Sequence, residues 1–370
     1  MSAEPARTQI AHVHVFGHPT LPLDVAAVPA DAQVFNAHNL CLLLARAGVP
    51  FTYYGMAGSV VPAGGRVVSL GRTRRRWQFR NAWHREYSQR LQAAFAATLD
   101  PSLSPQIVVS LYGAAQMDVD VRPWPVVEAM VGYNHCWAPY RVFPSYAQQH
   151  TLYASAAAQV QDSKWFDTVI PHFVDPAEYW ISPVREDYAL FLGRAAPDKG
   201  LAIAQEVCAQ AGLPLKAVHS GCWGAAKTEL IARARVVLMP TLYVEPFGYV
   251  AVEAQMCGVP AVTTDWGAFA ETVKAGVSGF RCRTQAEFIE AVRLAPQLDP
   301  LTIRQRAVRL YSIAAVTADY LDYFAFVWNV HGNGGYYAPN ALRRPMVVVG
   351  RGRCANAELQ GHSLETVDAE

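Results

Sequence analysis

Residues 236–266 read VVLMPTLYVEPFGYVAVEAQMCGVPAVTTDW, and the order of apolar runs and breakers in this stretch decides the fold. Val236 to Pro240 is a short, continuous apolar run, the pattern of a parallel strand buried on both faces. A loop carrying Glu245-Pro246-Phe247-Gly248 follows, and then a helical stretch from about Tyr249 to Cys257. Gly258 stops that helix, Pro260 keeps it stopped, and Val259 to Thr264 form the next strand. The stretch is therefore one β-α-β unit.

Its chemistry lies at the carboxyl end of the first strand. A helix starting at Gly248 offers free N–H groups and the positive end of its dipole to an anion, with no side chain in the way. Glu245 stands just before that terminus and Glu253 just after it. Two carboxylates would repel a bare phosphate, but each accepts hydrogen bonds from a vicinal diol. Ribose, phosphates and sugar in sequence, the layout of a nucleotide-sugar, match that arrangement.

Working outward, the same alternation recurs. Tyr188 opens a strand, YALFLGR, that ends in Gly193-Arg194 and leads to Lys199-Gly200. A glycine at the strand's end is expected to let the backbone turn, and Arg194 and Lys199 then bring two cations to the carboxyl edge shared with Gly248. Helix LAIAQEVCAQAG, strand LPLKAVHSG, helix KTELIARA and, after Asp265, helix AFAETVKAG, strand GFRCRT and helix EFIEAVRLA complete a domain over 186–316. Upstream, Ile10–Phe16 reads as a strand, 17–29 as a Gly- and Pro-rich loop, 33–47 as an amphipathic helix, Val49–Tyr54 as a strand and Gln106–Leu111 as another. Residues 1–172 are thus a second Rossmann-like domain, although G-x-G-x-x-G is absent from it. The segment PHFVDP, 171–176, reads as a hinge with few crossing contacts, a helix over about Thr317–Val330 as a crossing back to the first domain, and 331–370 as a tail.

At 370 residues with 52% apolar content the chain is long enough for two cores, and a net charge of +1 argues against binding by bulk attraction to polyanions. Seven scattered cysteines without a C-x-x-C pair read as reduced thiols, and no apolar run suits a signal peptide or a membrane span, so a cytoplasmic location is expected. The most basic stretch, 72–90, interleaves Arg72, Arg74, Arg75, Arg76, Arg80, Arg85 and Arg90 with Trp77, Phe79 and Trp83. On a helix Arg76, Arg80 and Trp83 share a face that would grip nucleic-acid phosphates or lie on an anionic membrane; the plainer reading is a solvated helix with its aromatics inward. Asp118-Val-Asp120 resembles a metal pair but has no neighbouring ligand, and it reads as a polar turn; no metal is assigned. His135 and His150 are the histidines best placed to line a cleft in the first domain.

Gly193-Arg194, Lys199-Gly200, Glu245-Pro246-Phe247-Gly248, Glu253, Thr263-Thr264-Asp265 and Gly276-Val277-x-Gly279-Phe280, in this order and spacing, resemble the retaining glycosyltransferases of family 4, which have the GT-B fold. The runs YRVFPSYA and YYAPNALRRP resemble the bacteriophage and environmental-virus branch of that family. The resemblance implies two Rossmann-like domains facing across a cleft, a nucleotide-sugar donor carrying uridine or guanosine diphosphate, and no metal or other cofactor. It implies that Arg194 and Lys199 bind the diphosphate beside Gly193, that Glu253 binds the ribose and Glu245 the sugar, and that Pro246, Phe247 and Gly248 line the site. His135 is the candidate for the family's histidine near the sugar. The stretch between Leu215 and Lys227 is shorter than usual in the family, which leaves the nucleotide base open.

For the acceptor, the first expectation is a hydroxyl on a modified base of phage DNA, held by Arg74, Arg75, Arg76 and Arg80 and flipped out of the stack. A lipid-linked or surface saccharide with peripheral membrane contact is the second. A non-catalytic nucleotide-sugar binding protein and a phosphorylase are the readings from other classes.

Overall fold

The computed structural model describes residues 9–28, 31–72, 78–155 and 164–338. In the first lobe the strands are β1 (His12–Phe16), β2 (Phe51–Gly55), β3 (Gly65–Ser69), β4 (Gln106–Ser110), β5 (Val126–Glu128), β6 (Tyr140–Phe143) and β7 (Thr168–Val169). They form a parallel sheet in the order β3-β2-β1-β4-β5-β6-β7. Helices α1 (Ala32–Arg46), α2 (Ala82–Thr98) and α3 (Tyr146–Tyr153) belong to this lobe. The second lobe holds β8 (Ala189–Leu192), β9 (Leu215–Val218), β10 (Val236–Met239), β11 (Ala261–Thr264) and β12 (Gly279–Cys282), parallel in the order β12-β11-β10-β8-β9. Its helices are α4 (Leu201–Ala211), α5 (Gly224–Arg233), α6 (Tyr249–Met256), α7 (Phe269–Thr272), α8 (Gln285–Leu294) and α9 (Pro300–Tyr311).

The expected pair of Rossmann-like layers is present, and each sheet has the reversal of strand order that opens a crevice at its carboxyl edge. In the second lobe the chain leaves β8 for β9 on one side and returns to β10 on the other, so the crevice opens between β8 and β10. Buried runs such as Val236–Met239 explain why the sheet needs helices on both faces.

A final helix, α10 (Ile313–Gly332), begins earlier and ends later than its sequence pattern marks. Its Ile313, Val316, Tyr320, Phe324, Val327 and Val330 pack into the core of the first lobe with α1 and β1. The joint at 171–176 is not the sparsely held hinge expected from its prolines. Val174 exchanges backbone hydrogen bonds with the α9–α10 bend, its N–H to Tyr311 at 3.0 Å and its carbonyl from Ile313 at 3.1 Å. Asn39 donates to the Phe173 carbonyl at 2.8 Å, and Arg46 pairs with Asp175. Backbone groups in a segment this buried need partners, and the bend between α9 and α10 supplies them.

The basic stretch also differs from expectation. Arg74, Arg75 and Arg76 lie outside the described residues. Asn81 caps α2 by accepting from His84 N–H, so the helix begins after Arg80, which has a left-handed φ of 63°. Arg80 and Trp83 therefore share no helical face. Trp83 is 2% exposed and donates its indole N–H to the Pro19 carbonyl, the inward packing of the plainer reading. Among the described residues, no helix is long and apolar enough to cross a membrane.

Candidate active site

A crevice of about 580 Å³ lies between the lobes at the carboxyl edges of both sheets. From the second lobe it is lined by the segments that leave β8, β9 and β10, which carry Gly193 and Arg194, then His219, Ser220, Cys222 and Trp223, and then Glu245 to Val250. From the first lobe it takes Ala32, Gln33 and Asn36 at the start of α1 and Met130, Gly132 and Tyr133 after β5.

Glu245 is the centre of a small polar cluster. Its Oε2 accepts from Lys199 Nζ at 3.1 Å and from Tyr243 Oη at 2.7 Å, and Lys199 also contacts the Tyr243 hydroxyl directly. The backbone of Glu245 is held by the Trp266-Gly267-Ala268 turn, where Ala268 N–H donates to the Glu245 carbonyl at 2.9 Å. Gly267 lies so close that an added Cβ would sit 2.7 Å from Glu245 N. Gly248, at φ 83°, caps α6, and a Cβ there would meet the Phe269 ring at 2.6 Å. The first amides of α6 therefore open onto the cleft beside Lys199. Arg194 reaches the same edge with its side chain 71% exposed, 3.7 Å from Asp198.

Gly193 serves differently from its sequence expectation. Its φ is not left-handed, and an added Cβ would meet only the Lys199 stem and Phe191 at 3.8 Å. What the missing side chain leaves is room in the cleft, not a turn.

Glu253 is 2% exposed and does not itself line the cleft. Its Oε1 accepts from Tyr179 Oη at 2.9 Å and from Lys227 Nζ at 2.6 Å, and Lys227 is the group that reaches the cleft. The short connection after β9 still contributes to the wall through His219, Ser220, Cys222 and Trp223.

His135 is not part of the lining. It is exposed at φ 68° in a turn beside Gly113, because the chain after β5 turns away once Tyr133 has bonded to Glu128. His150 is exposed on α3. The histidines that do line the cleft are His219, after β9, and His172, packed against Phe247 and Tyr249 at the joint. Sequence reading missed His172 by treating PHFVDP as a linker, and it missed Lys227, Tyr243 and Asn36, which no motif marks. Asp118 and Asp120 do not converge: Asp120 is held by Arg122 at 2.6 Å, and Asp118 lies 3.8 Å from His84. Among the described residues, no group of three His, Cys, Asp or Glu side chains is arranged to hold a metal ion.

The solved structure of AviGT4, a glycosyltransferase involved in avilamycin A biosynthesis, is similar over 86% of this chain and 98% of its own, with a TM-score of 0.65 at 20% identity. Sucrose-phosphate synthase from Thermosynechococcus elongatus matches over 84% and 97%, with a TM-score of 0.61 at 15% identity. Anabaena HepE, solved with UDP and glucose, matches over 84% and 98%, with a TM-score of 0.59 at 14% identity. The fold is GT-B. Within this GT-B chain, residues 216–304 match the family model described as glycosyl transferases group 1. The chain is also similar to part of glycogen synthase from Mycobacterium tuberculosis, 41% identical over 85 residues, which is 22% of this chain. That match spans about a fifth of the length of the curated relative, 20%. The family-model match falls on the lobe that carries Glu245, Gly248 and Glu253.

Proposed function

We propose that the protein is a retaining glycosyltransferase that moves a sugar from a UDP- or GDP-sugar to an acceptor hydroxyl. The observation that carries the reading is the convergence of Lys199, Glu245 and the first amides of α6 on one cleft edge, with Arg194 beside them. Cations and amide dipoles suit a diphosphate whose charge grows as it leaves, and a carboxylate suits the hydroxyls of the sugar. The family match over 216–304 and the likeness to HepE, which was solved with UDP-glucose, support the same donor class.

In the proposed reaction the acceptor oxygen forms a bond to the anomeric carbon on the face from which the diphosphate departs. The carbon–oxygen bond to the diphosphate breaks, its electron pair leaves with the diphosphate, and the acceptor proton passes to a diphosphate oxygen. Arg194 and Lys199 stabilise the leaving group, and Glu245 orients the sugar. Glu253, buried behind the wall, acts by setting Lys227 in it. This scheme asks nothing of a metal, and activity in the presence of a chelator tests that part separately.

For the acceptor, the first-lobe residues that line the cleft (Ala32, Gln33, Asn36, Met130, Gly132 and Tyr133) carry no charge, which suits a saccharide hydroxyl. A hydroxymethylated base in DNA is the second reading, carried by the arginines of 72–90. One experiment addresses donor and acceptor together. The protein is incubated with UDP- and GDP-sugars and with either oligosaccharides or hydroxymethylated DNA, and products are weighed by mass spectrometry and their anomeric configuration read by NMR. Release of nucleoside diphosphate without any product beyond free sugar, or no release at all, would overturn transfer to either acceptor.

A further inference from the structure

Tyr243 stands two residues before Glu245 in the segment that leaves β10, and it is not among the residues that line the cleft. Its backbone carbonyl accepts from the Trp266 indole N–H at 3.2 Å, which anchors it to the turn that also holds Glu245. Its hydroxyl reaches both charged members of the polar cluster. It contacts Lys199 Nζ and lies 2.7 Å from Glu245 Oε2, while Lys199 Nζ lies 3.1 Å from the same Oε2. The three polar groups close a triangle.

Every hydrogen in that triangle can be placed. A lysine ammonium only donates, so the phenol oxygen accepts from Lys199 and its own single proton goes to Glu245. Burial first, and then the Glu245 carboxylate, push the Tyr243 phenol well above its ordinary value, so it keeps that proton. Of the three ammonium N–H groups of Lys199, one goes to Tyr243 and one to Glu245, and the third is left over. Glu245 accepts both donors on Oε2, and among the described residues no donor reaches its Oε1. Lys199 and Glu245 both line the cleft, so the triangle leaves it one cationic donor and one anionic acceptor.

We propose that Tyr243 is a positioning residue for the transfer: it fixes Lys199 and Glu245 relative to one another, so that the remaining Lys199 proton meets the diphosphate while Glu245 Oε1 meets a hydroxyl of the sugar. This role rests on the donor reading given above. Without the phenol the direct Lys199–Glu245 pair remains, but one contact between two flexible side chains leaves both free to turn about it. A diphosphate that draws Lys199 toward itself would then leave Glu245 unheld. The phenol carries no charge for the diphosphate to attract, and it sits behind the cleft wall, so it keeps its hold on Glu245 when the donor arrives.

The test uses the full chain, thermal melts and calorimetric titration with UDP, UDP-glucose, GDP and GDP-mannose. Wild type is expected to bind one nucleotide-sugar more tightly than its own diphosphate. Y243F keeps the ring and the backbone bond to Trp266 but loses the hydroxyl, so it should melt close to wild type. Its affinity for the diphosphate should stay within about twofold of wild type, while the preference for the sugar form falls about five- to tenfold. Because Tyr243 acts through Glu245, Y243F/E245Q should show the same preference as E245Q within about twofold, whereas a role in packing alone would add its loss in either background. An undiminished preference in Y243F overturns the role, as does a further loss in the double variant or a wild type that binds the diphosphate and its sugar form equally. A Y243F that melts lower and loses the diphosphate as well overturns it too, in favour of a structural role. In each of these outcomes the nucleotide reading stands, whereas a wild type that binds none of the four ligands overturns both readings.

Discussion

Ser145 Oγ donates a hydrogen bond of 2.7 Å to the carbonyl of Pro246, the hydroxyl coming from the first lobe and the carbonyl from the loop that carries Glu245. Ser145 also caps α3 by accepting from Gln148 N–H at 3.0 Å. At the same helix end Glu271, from the second lobe, accepts from Tyr146 N–H at 3.0 Å and from Ala147 N–H at 2.9 Å. The amino terminus of α3 is therefore docked on the opposite lobe by a carboxylate that complements its dipole. The variant S145A/E271A is expected to lose about 1–2 kcal/mol of stability and to turn over several-fold more slowly, with diphosphate affinity little changed. Urea denaturation, steady-state kinetics and calorimetry read the three quantities; unchanged turnover would mean that this contact does not matter for closure.

Lys199 and Glu245 are paired at 3.1 Å, so single substitutions should act in opposite directions on the free diphosphate. K199A removes a charge-assisted partner and is expected to weaken UDP or GDP binding by roughly 1.5–3 kcal/mol. E245Q frees Lys199 from its carboxylate, so diphosphate binding should hold or strengthen while sugar transfer collapses. Titration of both variants beside a turnover assay checks the pair; a loss of diphosphate affinity in E245Q would argue against the assigned roles.

Glycines at this edge divide into two kinds. Gly200 has φ 74°, and an added Cβ would sit 2.0 Å from the Pro240 carbonyl oxygen, so G200A should cost on the order of 3 kcal/mol and lower the melting temperature by several degrees. At Gly193 the added methyl has room, so G193A should melt like wild type yet bind the donor less well. Thermal melts and titrations distinguish the two, and a destabilised G193A would contradict the description of Gly193 as open space.

Five histidines are held below their free value of 6.5 by burial: His12 and His18 at about 4, His172 at about 3, and His14 and His38 by a direction alone. Between those values and 6.5 the unfolded chain binds protons that the native chain does not. Stability is thus fully present above about pH 6.5 and is lost progressively as the pH falls toward 4. The urea midpoint should drop from about pH 7.5 to about pH 5, and a flat profile would show that these imidazoles are not buried neutral.

The strands and the Glu245-to-Gly248 loop were legible because they are local: buried parallel strands leave apolar runs, and Gly248 and Gly258 punctuate the helix between them. Lys199 and Arg194 were legible because they follow a strand end that must lie at the same sheet edge. His172, Lys227 and Asn36 were not, since each is brought in by packing between distant segments. Tyr249, which hydrogen-bonds Asn36 and stacks on His172, gathers two of these side chains. His135 lies outside the cleft lining because left-handed Met130 and His135 redirect the chain after β5, and sequence periodicity carries no record of that. The face shared by Arg76, Arg80 and Trp83 failed in the same way, once Asn81 rather than an earlier residue began α2.

The helix α10 gives the molecule an order of assembly. Residues of the first lobe leave the ribosome well before Ile313–Gly332, yet Tyr320, Phe324 and Val327 complete their interior. During synthesis that earlier lobe must wait with an apolar flank bare until the second lobe has emerged and handed back its last helix. A chain cut after Ser312 is expected to bind an apolar fluorescent dye and to aggregate, even though every lining residue of the cleft would still be encoded in it.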